Sequence, residues 1–196
     1  MERCPLCGEK LIPQGSAFIN SKKPSANPVV TGQPAVIFEV LLDNLRSTLN
    51  VGSIFRTADG AGVNHIFCCG TTPTPEHAKI AKTSLGAESF TPWSYHPNAL
   101  DQVKLKRESG YRVISMEATD SSKSIFTTLT TSAQSPTLLV MGNEVSGIDP
   151  EILQYSDQVL FIPMQGKKSS LNVAVAFGIA VYTLLNNSHM ETNVIG

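Results

Sequence analysis

The segment from residue 42 to residue 63 combines polar side chains with glycines in numbers that a purely structural turn does not need. Asn50, Gly52 and Arg56 are its most informative residues. We predict that Asn50 is the N-cap of a helix that begins at the next residue, and that Gly52 lets a ligand or another chain approach the backbone N–H groups there. The guanidinium of Arg56 can bind a phosphate through two parallel hydrogen bonds. These residues therefore indicate a binding site.

A structural role is the alternative for the same residues. The apolar residues of the predicted helix recur at the spacing of one buried face and leave Arg56 outside that face. Arg56 would then pair with Asp59, three residues further along the helix, for about 0.2–0.5 kcal/mol. In that case Asn50 would only cap the helix.

The second segment, residues 138–151, begins with an apolar run and continues through a glycine to the carboxylate of Glu144. Ligands of open α/β sheets bind beyond the carboxyl ends of the strands, so Glu144 is a candidate site residue. Asp149 and Pro150 are predicted to be the N-cap and first residue of a short helix. The alternative is that Glu144 is a loop acid that neutralises a nearby arginine.

The third segment, residues 161–176, passes from an apolar run through a polar loop into a strongly apolar helix. Ser170 can cap that helix, and Asn172 then lies in its first turn. The helix is apolar on almost every side, so it is predicted to be buried inside the domain or against a second subunit. Burial alone would explain the helix, but not the polar Ser-Leu-Asn sequence at its start beside a loop with two lysines.

Short apolar runs alternate with helix-like segments after residue 34, and this alternation predicts an α/β fold. Continuously apolar strands such as residues 138–141 suit a parallel sheet that is covered on both faces. The predicted strands are residues 35–41, 65–69, 112–116, 137–141 and 158–164. The predicted helices are residues 51–61, 75–85, 98–109, 150–155 and 171–186.

Composition limits the possible partners of the protein. The chain has 196 residues, of which 41% are hydrophobic, and this is enough for one packed domain with a small appendage. Its net charge is -1 and its pI is about 6.4, so any contact with nucleic acid must come from local patches. The N-terminus has no signal-peptide core, and the longest apolar stretch, residues 173–182, is too short to span a bilayer. We therefore expect a cytoplasmic protein without a membrane partner.

The sequence predicts three parts of unequal size. Residues 1–14 form a short appendage with a Cys-x-x-Cys spacing, residues 15–34 form a linker, and residues 35–196 form the main domain. The linker is assigned because Pro, Ser, Asn and Gly are frequent there and no hydrophobic period is sustained.

The spacing of Cys4 and Cys7 occurs in zinc knuckles, which makes both residues candidate ligands of a structural zinc ion. Two thiolates are half of a tetrahedral site, so a second copy of the chain, or Cys68 and Cys69, would have to supply the other ligands. A metal-free turn at Cys4 and Cys7 is the alternative. Cys68 and Cys69 fit better as small buried residues of a strand.

In their order along the chain, the three segments resemble the motifs of the SpoU (TrmH) family of RNA ribose 2'-O-methyltransferases. The resemblance covers roughly residues 36–187. Membership would imply the SPOUT fold, a parallel sheet between helices whose carboxyl-terminal part forms a deep trefoil knot. The knot follows from the resemblance alone, because knots are exceptional among protein folds. The matching stretches are residues 50–56, 141–144 with 146–148, and 162–164 with 170–173.

The resemblance also implies a cofactor, S-adenosylmethionine, that is bent in the knot and held chiefly by backbone groups. Apolar walls suit its adenine, and free backbone N–H and C=O groups can bind the edge of that ring. The expected reaction transfers its methyl group to a ribose 2'-hydroxyl of tRNA or rRNA. The cofactor positions correspond here to Val140, Met141, Gly142, Phe161, Ile162, Met164, Ser170 and Leu171.

Five polar residues match the conspicuous polar positions of the family: Asn50, Arg56, Glu144, Ser170 and Asn172. We interpret Arg56 as holding a phosphate and stabilising charge on the attacking oxygen, because a guanidinium normally stays protonated in proteins. Glu144 is expected to orient Arg56. Asn50 and Asn172 are expected to position the loops or the ribose.

The same resemblance implies a homodimer whose active sites draw on both subunits, with the helix at residues 171–186 in the interface. Basic residues near the motifs would then contact the phosphates of the RNA substrate. A solvated surface is the alternative role of such residues. The candidates are Arg46, Lys79, Lys82, Lys167 and Lys168.

Two other functions compete with this interpretation. An RNA-binding SPOUT-like protein that has lost catalysis would share the fold, but all five polar positions are retained here. A nucleotide-binding dehydrogenase would need a Gly-x-Gly-x-x-Gly turn directly after a strand. Gly60 and Gly62 instead fall at the end of a predicted helix, where a glycine commonly forms the C-cap.

Overall fold

A computed structural model of the protein describes residues 9–10, 37–128 and 135–190, with side chains as far as residue 185 in the last helix. The chain divides into two units, Met1–Pro34 and Ala35–Gly196. In the first unit the described residues are Glu9 and Lys10, and both are exposed. Every helix and strand named below belongs to the second unit.

A seven-stranded sheet forms the centre of the second unit, and every neighbouring pair of its strands is parallel. The order across the sheet is β3-β2-β1-β6-β4-β7-β5, so β1 and β6 are paired on both sides. This arrangement confirms the predicted parallel α/β fold. The strands are β1 (Phe38–Asp43), β2 (His65–Cys69), β3 (Trp93–His96), β4 (Arg112–Met116), β5 (Lys123–Ser124), β6 (Thr137–Met141) and β7 (Gln158–Phe161).

Helices cover both faces of this sheet. α1 and α5 pack with one core cluster, which contains Ile54, Phe55 and Phe177, while α3 and α4 pack with the other, which contains Val103 and Ile152. Because both faces are covered, β1 and β6 are buried along their whole length, as the continuously apolar run at residues 138–141 predicts. The helices are α1 (Thr48–Ala61), α2 (Ala81–Ser84), α3 (Ala99–Glu108), α4 (Pro150–Gln154) and α5 (Val173–Met190), with a 3-10 turn at Ala87–Ser89.

The helix α1 begins earlier than predicted because a different residue caps it. The hydroxyl of Ser47 accepts a hydrogen bond from the N–H of Asn50, and the helix starts at Thr48. The prediction that Asn50 is the N-cap is therefore wrong, and its side chain is free for other contacts. At the other end Gly62 forms the C-cap with φ 76°, which confirms the role expected of a glycine there.

The predicted helix at residues 75–85 is largely wrong. Turns occupy residues 75–80, and the helix is only α2, whose C-cap is Leu85 with φ 53°. In the turns the ring Nδ1 of His77 accepts a hydrogen bond from the N–H of Lys79, so a side chain replaces a helical backbone partner. The strand predicted at residues 158–164 stops at Phe161, two residues before Pro163, which has no N–H to donate to a sheet.

The other predicted helices are confirmed to within a few residues. Asn98 caps α3 by accepting a hydrogen bond from the N–H of Leu100. Asp149 and Pro150 are the N-cap and first residue of α4, as predicted, with the carboxylate of Asp149 accepting from the N–H of Glu151. In the described part of the chain, no helix is both long and apolar enough to cross a membrane.

Candidate active site

A cavity of about 500 Å³ opens where β4, β6 and β7 end. The last residues of these three strands and the residues that follow them line it, together with one residue of α1 and the first turn of α5. The cavity lies beyond the carboxyl ends of parallel strands, where ligands of open α/β sheets bind. The predicted site residues that line it are Asn50, Met141, Gly142, Glu144, Phe161, Ile162, Met164, Ser170, Leu171 and Asn172.

Of the predicted cofactor-binding residues, Val140 does not line this cavity. Its side chain is fully buried in the core cluster on the α3 side of the sheet. Side chains alternate along a strand, so Met141 lies on the opposite face and lines the cavity.

A chain of hydrogen bonds joins the three predicted segments at the mouth of the cavity. The amide Nδ2 of Asn50 donates to Oε1 of Glu144 at 3.0 Å, and its Oδ1 accepts from Nδ2 of Asn172 at 3.0 Å. Asn50 is 94 residues from Glu144 and 122 residues from Asn172 in sequence, so the fold alone brings them together. An amide suits the middle position because it donates and accepts at once.

Glu144 also holds the loop that precedes α1. Its carboxylate accepts hydrogen bonds from the N–H groups of Arg46, at 3.0 Å, and Ser47, at 3.3 Å. Burial alone would raise the pKa of Glu144, but the hydrogen bonds from Asn50 and these backbone groups favour the ionised form, and the pKa lies below its ordinary value. The site therefore keeps an anionic carboxylate at neutral pH.

Asn172 has a second role at the start of α5. Its Oδ1 accepts a hydrogen bond from the N–H of Ala174 at 2.9 Å, which caps the helix. The prediction that Ser170 caps this helix is therefore wrong, because the helix begins at Val173 and Asn172 directly precedes it. Ser170 is exposed and lines the cavity.

The structure does not bring Arg56 to Glu144 within this chain. Arg56 is exposed on α1 and lines a second cavity, of about 560 Å³, together with residues of α2 and α5. Among the described residues, the partners of the Glu144 carboxylate are Asn50 and two backbone N–H groups, so Glu144 does not orient Arg56 within this chain. The expected contact between the two residues stays a prediction. The residues of the second cavity are Ser53, Arg56, Thr57, Gly60, Lys82, Thr83 and Tyr182.

The family model described as the SpoU rRNA Methylase family matches residues 37–182, which include all three segments that line the first cavity. The chain belongs to this family.

Individual SpoU proteins agree with this assignment. The tRNA (guanosine(18)-2'-O)-methyltransferase of Aquifex aeolicus is 33% identical over 73% of this chain and 66% of its own length. The AdoMet-bound rRNA methyltransferase from Sinorhizobium meliloti superposes with a TM-score of 0.69 at 29% identity, over 79% of this chain and 56% of its own. The SpoU methyltransferase of Streptomyces viridochromogenes in complex with AdoMet superposes with a TM-score of 0.67 at 26% identity, over 80% of this chain and 61% of its own. The chain spans between 57% and 66% of the length of the curated relatives it matches.

Residues after β4 extend the SpoU cavity beyond the three motifs. Met116, Glu117 and Ala118 line it, and none of the three was among the predicted site residues. Their position could have identified them as site residues, because they lie at the end of the predicted strand at residues 112–116 or directly after it. Ligands of parallel sheets bind beyond the carboxyl ends of the strands.

The predicted substrate residues of this SpoU protein are all exposed, as a contact with RNA requires. Lys82 lies beside Arg56 in the second cavity. Arg46 contributes its backbone N–H to Glu144, which leaves its side chain in solvent. Lys79, Lys167 and Lys168 line neither cavity.

The cysteines divide into two groups. Cys68 and Cys69 are buried free thiols, as predicted, and burial raises the pKa of each to about 12. Cys4 and Cys7 lie outside the described residues. Within the described residues, no group of three or more His, Cys, Asp or Glu side chains is placed to hold a metal ion.

Proposed function

We propose that this protein is an S-adenosylmethionine-dependent methyltransferase that modifies a ribose 2'-hydroxyl of tRNA or rRNA. One observation carries the proposal: the hydrogen-bonded chain of Glu144, Asn50 and Asn172 joins all three SpoU segments around a single cavity. The printed names of the relatives support the RNA class, since the Aquifex protein is named for tRNA and the Sinorhizobium protein for rRNA.

The first cavity fits the proposed cofactor in size and chemistry. A volume of about 500 Å³ is within the usual range for ligand pockets. The apolar side chains of Met141, Leu160 and Ile162 suit an adenine ring, and the backbone at Gly142 and Leu171 can bind polar edges. When bound, the cofactor supplies a methyl group on a sulfonium: the sulfur keeps the electron pair of the broken bond, the ribose oxygen gains the methyl group, and the hydroxyl proton passes to water.

We further propose that Arg56 serves the cavity of a second copy in a homodimer. Arg56 is exposed and lines a separate cavity with Lys82 in its own chain. Its guanidinium can bind a phosphate of the RNA and stabilise the negative charge that develops on the attacking oxygen. Proximity between that oxygen and the methyl group supplies a further share of the acceleration.

Several finer features belong to the same proposal. Residues 35–196 form the SPOUT domain with a deep trefoil knot, residues 15–34 form a linker, and residues 1–14 form the appendage that carries Cys4 and Cys7. The likeness to SpoU structures supports the assignment of residues 35–196 to the SPOUT domain. The donor set at Cys4 and Cys7 supplies half of a zinc site, so any zinc bound there needs ligands from elsewhere, such as a second copy.

The test is transfer of a labelled methyl group from S-adenosylmethionine to total RNA from a strain that lacks this protein. We expect incorporation with the wild-type protein, and none with a variant that combines Glu144→Ala and Asn172→Ala. RNA binding without incorporation would instead identify a protein that has kept the fold and lost catalysis.

A further inference from the structure

The charged side chains of the second cavity all have the same sign. Arg56 and Lys82 are among the described residues that line it, and none of those residues is an aspartate or a glutamate. The whole chain has a net charge of -1, so this pair of cations differs from the charge of the molecule as a whole. A cavity with such a lining attracts an anionic ligand.

One face of α1 forms one side of this cavity. Ser53, Thr57 and Gly60 are separated by four and three residues, so they lie along one face of the helix, and Arg56 adjoins them. Arg56 is exposed, and Ser53 and Thr57 are half-buried. The guanidinium is therefore presented from a rigid helix and remains accessible to a ligand.

The short helix α2 forms the adjoining side of the cavity and carries Lys82. The hydroxyl of Thr83 donates a hydrogen bond to the carbonyl oxygen of Leu49 in α1 at 3.1 Å. A Cβ at Gly52 would overlap the backbone at the start of α2, so the glycine allows the two helices to approach closely. The backbone of Lys82 is therefore fixed beside the face that carries Arg56.

Neither cation of this cavity is neutralised within the described part of the chain. The salt bridges among the described residues are formed by Lys106 and Arg107, on the other face of the sheet. The pairing of Arg56 with Asp59, which was the structural alternative for this arginine, is not formed. Arg56 and Lys82 therefore keep their charges for a ligand.

The hydrogen-bonding groups of these two side chains are all donors. A guanidinium has five N–H groups and an ammonium has three, and neither group can accept a hydrogen bond. A phosphodiester is complementary, because its two non-bridging oxygens accept several hydrogen bonds and share a negative charge. Both Arg56 and Lys82 are exposed, so a phosphate within a long RNA strand can reach them.

We propose that Lys82 binds the phosphate backbone of the RNA together with Arg56, so that the second cavity is a phosphate-binding subsite for the substrate. The inference rests on the proposed function. Because both residues line one cavity, Lys82 serves the same active site of the proposed homodimer as Arg56. Their roles differ: Arg56 also stabilises the attacking oxygen, whereas Lys82 binds a phosphate as a point charge and contributes affinity for RNA.

The experiment measures RNA binding and methyl transfer by wild-type protein and by Lys82→Ala, with total tRNA and total rRNA from a strain that lacks this protein. Binding is titrated at several salt concentrations. We expect the slope of log affinity against log salt to become smaller by about 0.7–0.9, the contribution of one phosphate contact, and the affinity at physiological salt to fall about fivefold. The KM for RNA should rise by a similar factor, while kcat stays within about twofold.

Two further variants separate a phosphate contact from a general loss of charge. Lys82→Arg keeps the positive charge, so its salt slope and RNA affinity should stay close to those of the wild type. Lys104→Ala removes the same charge from α3, which packs on the other face of the sheet, where the ammonium of Lys104 lies 5.1 Å from the centre of the Tyr155 ring. It should leave the salt slope and the KM for RNA unchanged.

An unchanged salt slope and KM in Lys82→Ala would overturn the inference, because Lys82 would then be a solvated surface residue. A lower kcat with an unchanged KM would overturn it as well. Inorganic phosphate is titrated separately: saturable binding that requires Lys82, without any change in RNA affinity, would identify a site for a small anion and contradict an RNA subsite. If wild-type protein binds RNA but transfers no methyl group, the proposed function is refuted, and the salt slope of Lys82→Ala still decides whether Lys82 contacts a phosphate.

Discussion

The side chain of Asn50 shows how a single amide can organise the site. Its amide nitrogen donates a hydrogen bond to Glu144 and its amide oxygen accepts one from Asn172, so the two atoms bind residues of two different segments. Neither aspartate nor leucine could replace it, because an aspartate would place a second carboxylate against Glu144 and a leucine would form no hydrogen bond. The three segments are therefore coupled through one residue.

Methyl transfer should depend on the shape of the Arg56 side chain and not only on its charge. Arg56→Lys keeps the charge but loses the planar arrangement that forms two parallel hydrogen bonds with a phosphate. We expect the transfer rate to fall about 100-fold, as for the loss of one donor to a developing oxyanion. Affinity for S-adenosylmethionine should not change, because the proposed partners of Arg56 are a phosphate and the attacking oxygen of the RNA and not the cofactor.

Single-turnover assays and calorimetry of the same preparations measure these two quantities. Arg107→Lys is the matched control, since Arg107 lies on α3 and donates to the carbonyl oxygen of Tyr155, away from either cavity. Near-normal transfer by Arg56→Lys would contradict the assigned role.

Stability at acid pH should report the ionised state of Glu144. Its pKa is below the ordinary value in the folded protein, so the folded state favours the ionised carboxylate. The resulting stabilisation is fully present above the unfolded pKa, about 4.3, and is lost as the pH falls through the lower folded pKa. The difference in unfolding free energy between wild type and Glu144→Gln should therefore shrink towards acid pH. Denaturant titrations at pH 7 and in acid measure this difference, and a gap independent of pH would contradict the account.

The polar site residues could be predicted from sequence because each belongs to a motif, but their mutual distances could not. Six residues along an α-helix correspond to about 9 Å and leave Arg56 about 120° around the axis from Asn50. In agreement with this separation, Asn50 lines the first cavity and Arg56 the second. Glu117 belongs to none of the three motifs, and only the packing of β4 beside β6 places it in the cavity.

At the scale of elements, the close packing of α1 against α2 depends on Gly52. A Cβ at this position would lie 2.5 Å from the carbonyl oxygen of Ile80 and would also overlap the hydroxyl of Thr83. The glycine thus allows the backbones of the two helices to approach. The prediction at this glycine was the approach of a ligand or another chain, whereas the residues that pack against it are Ile80, Thr83 and Ser84 of the same chain.

Gly52→Ala should lower the free energy of unfolding by about 1–3 kcal/mol, because backbone must move to accommodate the methyl group. Gly60→Ala is the control on the same helix. There a Cβ meets only the hydroxyl of Tyr182, at 3.3 Å, so the helical propensity of alanine should leave stability equal or raise it by up to about 1 kcal/mol. Thermal unfolding followed by circular dichroism distinguishes the two, and equal effects would contradict this packing.

Elements with a strong pattern were predictable, whereas elements that depend on tertiary pairing were not. α3 and α4 were predicted to within one residue at each end because Asn98 and Asp149 are clear caps. β3 was missed because it is short and its Trp-Ser-Tyr-His sequence lacks a continuous apolar run. β5 has only two residues and is a strand through its pairing with β7.

At the scale of the whole molecule, the exposed side of α5 is unusually apolar. Val175 is 52% exposed and Tyr182 is 47% exposed, while Phe177 and Val181 on the other side are fully buried. This agrees with the helix predicted to be apolar on almost every side, and the exposed side adjoins the cavity that contains Arg56. We expect the proposed homodimer to use this surface, so that Arg56 of one copy reaches the first cavity of the other.

Mixing two inactive variants tests that arrangement. Arg56→Ala and Glu144→Ala protomers, unfolded together and refolded, should form mixed dimers in which one of the two sites has both intact residues. Statistical pairing would restore activity to about a quarter of all sites. Refolded wild type and each variant refolded alone are the controls. If the mixture regains no activity while refolded wild type does, Arg56 and Glu144 act within one chain.

The chemical position of the transferred methyl group tests the central claim most directly. RNA methylated by the protein with isotopically labelled S-adenosylmethionine is digested to nucleosides, which are separated and identified by mass spectrometry. We predict that the label appears in 2'-O-methylated nucleosides, with the mass increase on the ribose fragment. Label on the base fragment, or RNA without label although the protein binds S-adenosylmethionine, would contradict the account.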